Sequence, residues 1–307
     1  MNGRESLIAY LRLHSAVFLF GFTAILGALI KITALEIVWW RVGITAVSLL
    51  LVVRGARSIR RLSRQEILLF LGIGAIVALH WLCFYGAIKY SNASVTLICM
   101  ATASFFTAIV EPIFLRQSFQ RLDLIFGLLV IPGMALIVQN LDTSMLAGVW
   151  VGLLSALLAA IFASLNKKYI DRAHTYTITF LEMTGAWIFL TLIAPLLLTY
   201  DILEVSWPSE MDWFYLIILA LLCTTLAFIL ALQALQHLSA FASNLVINLE
   251  PVYGILLAIL LLNEHQELSP KFYIGVVAIL GVVIAHPIVV RRMRKRAGMQ
   301  NHPVKEE

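Results

Sequence analysis

The chain has 307 residues, of which 61% are hydrophobic and 13% are charged. Soluble domains have about 45–50% apolar and about 25% charged residues, so this composition excludes an ordinary soluble protein and indicates an integral membrane protein. The formal net charge of +5 does not indicate nucleic-acid binding, because the charges fall between hydrophobic segments and in the C-terminal tail.

Hydrophobic segments follow one another along the whole chain and are joined by short connections. Taking about 20 apolar residues as the length of one membrane span, the sequence predicts an all-α integral membrane protein with ten transmembrane helices. The connections leave no room for a separate soluble domain, and the first span lacks a signal-peptide cleavage site. The predicted spans are residues 9–30, 34–53, 66–88, 94–115, 123–139, 147–165, 177–199, 213–235, 240–262 and 271–290.

The distribution of Lys and Arg between the spans predicts the orientation of the chain. Eighteen of the 22 Lys and Arg residues fall on one side of the membrane, together with both termini, and the positive-inside rule assigns that side to the cytoplasm. The connection at 201–212 lies on the opposite side and carries no Lys or Arg. The basic tail 291–307 is therefore predicted to be cytoplasmic and to contact anionic lipid rather than nucleic acid.

Two pairs of segments indicate an internal repeat. Residues 127–133 and 275–281 have glycines at both ends and are 148 positions apart, and residues 85–93 match 232–240 at a separation of 147. Because each half holds five spans, an odd number, the second half enters the membrane from the opposite side. Inverted repeats of this kind are typical of secondary transporters, whose substrate site lies near the midplane between the halves. The predicted repeats are residues 9–140 and 147–290.

Glu250 and Pro251 lie near the middle of the ninth predicted span. A carboxylate at the centre of a bilayer costs about 3 kcal/mol on insertion scales, so it is expected to face the protein interior or a wet cavity. Pro251 has no N–H to donate to the carbonyl of Ile247, which predicts a helix kink beside the acid. The pair suits a proton, a cation or an ammonium group. The alternative is a structural kink whose Glu is permanently protonated or paired with a neighbouring helix.

Glu111 and Pro112 resemble this pair but are not its equivalents in the repeat. Pro112 predicts a second kink. Thr107 and Ser104 lie four and seven residues before Glu111, on the same helical face. This polar stripe predicts either the lining of a cavity or a structural contact with a neighbouring helix.

His80 and Trp81 lie just outward of the centre of the third predicted span. An imidazole titrates near neutral pH, so His80 is a candidate for a proton relay. The alternative is a single structural hydrogen bond.

Arg41 and Glu182 occupy equivalent helices of the two repeats, at equivalent depths on opposite sides of the membrane. We expect them at the two ends of a pathway, where each forms pairs that depend on the conformational state. Static pairing, or snorkelling of the side chain to the interface, is the alternative. The chain contains no zincin, nucleophile-elbow or P-loop motif and no Cys/His cluster with metal-ligand spacing, so the sequence predicts neither an enzyme nor a cofactor.

With its ten spans, its inverted repeat and an arginine early in the second span, the chain resembles the drug/metabolite transporter superfamily, specifically the EamA-type permeases with two tandem repeats. The likeness extends from residues 20–27 through 247–254 to 275–281. Ser104 departs from the family pattern, because it stands about where a proline is usual in the fourth span. The resemblance implies a multi-pass carrier of the bacterial inner membrane, often an exporter of amino acids, related metabolites or toxic compounds.

The resemblance also implies a central cavity lined by spans 1, 3, 4, 6, 8 and 9. Residues near that cavity would then include His80, Trp81, Glu111, Glu250 and Tyr253.

Together these observations predict a secondary transporter that moves a small, amino-acid-like solute by alternating access. Glu250 is the predicted site for a substrate amine or a proton, and both proton coupling and uniport remain open. The expected partners are the solute, protons and membrane lipids. A membrane protein that does not transport, such as a lipid scramblase, is the alternative.

Overall fold

The computed structural model describes residues 3–52, 59, 61–199, 206–235, 246–247, 249–266 and 268–296. Within these ranges the regular structure is helical, with no strand. The helices are α1 Gly3–Leu29, α2 Ala34–Val52, α3 Arg64–Tyr90, α4 Ala93–Ala101, α5 Ala103–Leu115, α6 Arg121–Val138, α7 Leu146–Tyr169, α8 Thr175–Thr199, α9 Glu210–Ala220, α10 Ala227–Leu235, α11 Glu250–Leu262 and α12 Pro270–Arg296.

The described helices account for every predicted span. Six helical segments are long and apolar enough to cross a membrane, three more apolar helices are shorter, and α2 corresponds to the second predicted span. The fourth span consists of α4 and α5, and the eighth of α9, a π-helical segment at Leu221–Leu226 and α10. The predicted all-α membrane fold is therefore confirmed, while the start of the ninth predicted span at 240–245 lies outside the described residues.

The backbone conformation shows the internal repeat at two equivalent positions. Among the described residues, Arg116 and Asn263 are the non-glycine residues with positive φ, at 55° and 56°. They are 147 positions apart, and each ends a helix in the left-handed conformation, at the C-terminus of α5 and of α11. This separation agrees with the repeat read from the sequence.

A second pair of equivalent irregularities interrupts the fourth and ninth spans. The amide of Thr102 donates to the carbonyl of Cys99, and that of Leu249 to the carbonyl of Val246, both at 3.0 Å. These bonds reach back three residues instead of four, so each span has one tightened turn, and the two turns are again 147 positions apart. Inverted-repeat transporters commonly build their sites around such interruptions.

The prolines that follow Glu111 and Glu250 occupy different positions in their helices. Pro112 lies inside α5, as predicted. Pro251 lies in the first turn of α11, which begins at Glu250, and a proline there removes no intrahelical hydrogen bond. Pro251 therefore follows the tightened turn at Leu249 and starts a helix instead of kinking a continuous one.

A close crossing between the two halves joins α3 of the first repeat to α8 of the second. A Cβ atom on Gly74 would lie 2.1 Å from the carbonyl oxygen of Glu182, and one on Gly185 would lie 2.3 Å from that of Leu71. The backbones approach this closely because neither glycine has a side chain. Helix α3 also packs along α7, so it lies against two helices of the second repeat.

Three buried carboxylates join the halves at the end of the bundle that holds residues 30–33, 91–92, 206–209 and 263–269. We name it the carboxylate end; residue 267 of the last range lies outside the described residues. The sequence predicts that this end faces outward. Each acid accepts backbone N–H groups from the other repeat. The bonds run from Ser206 to Glu36 at 2.6 Å, from Lys31 to Asp212 at 2.8 Å, and from Ala93 and Ser94 to Glu264 at 2.9 and 2.8 Å.

The opposite end, which we name the ion-pair end, is joined differently. Lys167 pairs with Glu111, and Arg172 lies 3.4 Å from Glu66. The Lys167 and Arg172 side chains are 49% and 59% exposed. Both pairs cross between the repeats, but they do so at the surface, where ion pairs stabilise a fold by less than about 1 kcal/mol.

Candidate functional site

Arg41 of α2 is buried between the two repeats, with 2% of its surface exposed. Its Nε donates to Thr224 Oγ1 at 2.7 Å, and its Nη1 donates to the Tyr85 hydroxyl at 2.6 Å. The guanidinium carbon lies 3.9 Å from the centre of the Trp81 ring. A cation over an aromatic face is attracted to it, so Arg41 is held rigidly by one contact from the second repeat and two from the first.

The π-helical segment Leu221–Leu226 provides the surface on which α2 lies. Thr224 and Thr225 each donate to the carbonyl five residues earlier, at 2.8 and 2.9 Å. Wide turns of this kind occur frequently at functional sites. Hydrogen bonds join this segment and the adjoining end of α9 to one face of α2. That face consists of Arg41, Thr45 and Ser48.

Arg41 has no carboxylate partner among the described residues, whose ion pairs are those of Lys167 and Arg172. Tyr85 and Thr224 together accept two of the five guanidinium N–H groups, and the other donors suit a planar oxyanion. Because a buried charge without a counterion is unfavourable, the arrangement favours binding of an anionic group here.

Glu250 begins α11 and is partly buried. The structure records no hydrogen bond or ion pair to its carboxylate from any described residue. A Cβ atom on Gly21 of α1 would lie 3.2 Å from the Glu250 carbonyl oxygen. Phe20, the residue before Gly21, contacts the ring of Phe228, and Phe228 contacts the Trp81 ring on which Arg41 lies. A cation from the first repeat and an acid from the second therefore share one region between the halves.

Tyr253 lies one turn after Glu250 and contacts α1. Its hydroxyl is 3.0 Å from Nδ1 of His14, and its ring meets that of Phe18 edge to face, with the ring centres 6.1 Å apart. These contacts join the first helix of one repeat to the interrupted span of the other, beside the acid.

His80 is buried and joins α3 to α7. Its Nδ1 lies 2.9 Å from the carbonyl oxygen of Ser155 and 2.9 Å from the Ser155 hydroxyl, which itself donates to the His80 carbonyl at 3.1 Å. The ring packs against Phe162. These contacts agree with the structural hydrogen bond named as the alternative, and the proton relay stays a prediction.

Glu111 lies at the ion-pair end, where it pairs with Lys167. The hydroxyls of Thr107 and Ser104 donate to carbonyls of the same span, at 2.8 and 3.2 Å. The predicted polar stripe is therefore hydrogen-bonded within its own span, and Glu111 makes the interhelical contact.

Glu182 of α8 is 2% exposed, and the hydrogen bond that the described residues provide for it comes from Asn166, not from Arg41 or its partners. Its Oε2 accepts a long hydrogen bond of 3.4 Å from Nδ2 of Asn166. Oε1 of Glu182 and Oδ1 of Asn166 are both buried, and neither has a partner among the described residues.

The structure thus brings Arg41, Trp81 and Glu250 into one region, whereas Glu182 bonds to Asn166 and Glu111 to Lys167. Sequence reasoning missed Tyr85, Thr224 and His14 as partners of the predicted residues. The Thr224–Thr225 pair inside an apolar run was the available signal, since neighbouring hydroxyls in a span must find acceptors.

An all-helical membrane protein with two inverted repeats and with charged groups buried between them has the architecture of secondary transporters. The EamA-like transporter family matches residues 7–139 and 146–285. The chain belongs to this family, and the predicted two-repeat EamA fold is confirmed.

Among curated proteins, the chain is similar to the pseudopaline exporter CntI of Pseudomonas aeruginosa, in strains UCBPP-PA14 and PAO1. Each match is 30% identical over 163 residues, 51% of this chain. The match spans 57% of the length of these relatives. A solved crystal structure aligns with 95% of this chain and 99% of its own, with a TM-score of 0.63 at 13% identity. That likeness shows the fold alone.

Proposed function

We propose that this protein exports a small zwitterionic metabolite, with a carboxylate and an amine, by alternating access across the bacterial inner membrane. Its termini lie in the cytoplasm. The observation that carries the proposal is the buried Arg41 guanidinium, which lies in one region with Glu250. Among the described residues, neither group has an ion-pair partner.

The substrate carboxylate binds Arg41. Arg is well suited to this role because its planar fork of donors matches a carboxylate in two places. Tyr85, Thr224 and Trp81 fix the guanidinium before the substrate arrives, so little side-chain entropy is lost on binding.

The substrate amine binds Glu250. The carboxylate stands at the start of α11, after the tightened turn. A substrate held by Arg41 on the first repeat and by Glu250 on the second contacts both halves at once. The affinity for substrate therefore depends on how the two halves are arranged. Alternating access requires such a difference in affinity between conformations.

Export as the direction is supported by the relative described as a pseudopaline exporter. The second function foreseen from the sequence, lipid scrambling, requires a polar groove that faces lipid. Arg41 is instead enclosed by protein, which favours a solute carrier.

The first test is metabolite profiling of cells and medium, with and without overproduction of the protein. Wild-type protein is expected to enrich compounds with both an amine and a carboxylate in the medium, and Arg41→Gln and Glu250→Gln are expected to lose this enrichment. Tyr90→Phe, a change at a 61% exposed side chain, is the matched control. Equal enrichment by wild type and Arg41→Gln would contradict the proposed site.

The second test uses purified protein in proteoliposomes with the enriched compound, its methyl ester and its N-acetyl derivative. Transport of the free compound alone is expected, because each derivative lacks one of the two charges. Transport of both derivatives at the rate of the free compound would refute recognition of a zwitterion. Glu250→Gln is also expected to abolish transport driven by a pH gradient.

A further inference from the structure

Glu182 and Asn166 hold two buried oxygen atoms for which the described residues provide no hydrogen-bond partner. We propose that this pair is a proton-binding site, separate from the Arg41–Glu250 region, in which Oε1 of Glu182 carries the proton. The site goes beyond the proposed export function and does not depend on the identity of the solute.

The burial of Glu182 is the first argument. The residue is 2% exposed, and the hydrogen bond that its carboxylate accepts, from Asn166, is 3.4 Å long. An ionised carboxylate needs short hydrogen bonds or a counterion when it leaves water. Glu182 has neither among the described residues, so the protonated form fits this environment.

The charged and titratable groups around α8 do not neutralise Glu182. Helices α2 and α3 pack against α8, and α7 meets it through Asn166. No group on these helices forms an ion pair with Glu182 within the described ranges. Those groups are Glu36 and Arg41 on α2; Arg64, Glu66, His80, Cys83, Tyr85, Lys89 and Tyr90 on α3; and Lys167, Lys168 and Tyr169 on α7.

Most of these groups are already engaged by other partners. Arg41 binds Tyr85 and Thr224, and Glu66 lies beside Arg172. The remaining engaged groups are His80 with Ser155, Glu36 with Ser206, Lys89 with the Ile30 carbonyl, and Lys167 with Glu111.

A proton fits the pair better than a metal ion. Adding a proton to Oε1 turns an unpartnered acceptor into a donor, and Oδ1 of Asn166 is an unpartnered acceptor on the adjoining side chain. Hard metal cations require about six oxygen ligands. No group of three or more His, Cys, Asp or Glu residues with metal-binding geometry occurs in the described part of the chain.

The site lies beside the contact between the two repeats, where α3 crosses α8. The backbone of Glu182 is the surface against which Gly74 of α3 packs, and α3 belongs to the other repeat. Loss of the proton would place a charge beside this crossing, so protonation favours the packing of α3 on α8 seen here.

Infrared difference spectroscopy tests the site directly. Wild-type protein in lipid is titrated, and the C=O stretching band of protonated carboxylic acids is followed. Glu182→Gln is expected to lose one titrating band. Glu111→Gln, which changes an acid at the surface, is expected to retain that band. A full set of bands in Glu182→Gln would overturn the proposal.

A second measurement uses only wild-type protein, in case Glu182→Gln does not fold. Dicyclohexylcarbodiimide enters lipid-facing and buried sites and reacts with protonated carboxyl groups. Peptide mass spectrometry is expected to find the adduct on Glu182, with a yield that falls as the pH rises. Two outcomes would reject proton binding at Glu182: no adduct at any pH, or an adduct yield that does not change with pH.

Discussion

Gly74→Ala is expected to destabilise the protein by forcing α3 and α8 apart. The new Cβ atom would lie 2.1 Å from the carbonyl oxygen of Glu182, whereas such contacts are essentially never shorter than 3.0 Å. The two backbones must therefore separate by about 0.9 Å, the difference between these two distances. Because the obstructing atom belongs to the backbone, no side-chain rotation relieves the clash. Overpacking of this kind costs about 1–3 kcal/mol.

Gly72→Ala is the matched control, since it lies on the same helix with no atom within 4 Å of the new methyl group. Both substitutions gain about 1 kcal/mol of helix propensity, so their difference isolates the clash. At about 2–4 °C per kcal/mol for a large domain, Gly74→Ala should unfold about 2–12 °C below Gly72→Ala. The measurement is thermal unfolding of the purified proteins in the same detergent. Equal unfolding temperatures would refute the close crossing of α3 and α8.

Three further substitutions test contacts between helices by the same thermal assay. Glu264→Gln should destabilise the protein by about 1 kcal/mol, because it removes the charge that accepts two backbone N–H groups at the start of α4; an unchanged unfolding temperature would contradict this contact. Tyr85→Phe should cost about 1.5–3 kcal/mol, because Arg41 loses a charge-assisted acceptor; a loss no larger than that of Tyr90→Phe would argue against the bond. Glu111→Gln should change stability by less than about 1 kcal/mol, because its ion pair with Lys167 is exposed; a larger loss would show that the pair is shielded from water.

The sequence predicted the helices and the family well, because both follow from features that extend over many residues. Each span requires about 20 apolar residues, and this requirement identified ten segments without reference to any contact. The repeat was visible as matching glycines at a separation of 148. The equivalent backbone irregularities at Arg116 and Asn263 have the same origin.

The tightened turn at Thr102 was not predicted, because no proline marks it. The family pattern has a proline at about Ser104, and this chain lacks it. The Thr102 hydroxyl donates to the Cys99 carbonyl at 2.6 Å, and the backbone N–H of Thr102 donates to the same carbonyl. A threonine inside an apolar run is too common to indicate such a turn by itself.

The partners of the intramembrane polar residues were also beyond prediction. Arg41 meets Thr224 across 183 positions, and His80 meets Ser155 across 75. Such pairs depend on which helices pack together and on how each is rotated. The π-helical segment adds one residue to a turn and so rotates Thr224 relative to an ideal helix. Apolar periodicity does not reveal that rotation in a helix with apolar residues on all sides.

The two ends of the bundle respond unequally to dissolved salt. At physiological ionic strength, mobile ions screen charges over about 8 Å, which weakens Glu66–Arg172 and Glu111–Lys167 at the surface. The acids at the carboxylate end bond to neutral amides in a buried setting, where mobile ions have little access. Added salt therefore weakens the ion pairs at the end predicted to face the cytoplasm, while the hydrogen bonds at the carboxylate end keep their strength. Without substrate, the fraction of inward-facing molecules should rise with salt, whereas sucrose at the same osmolarity should leave it unchanged.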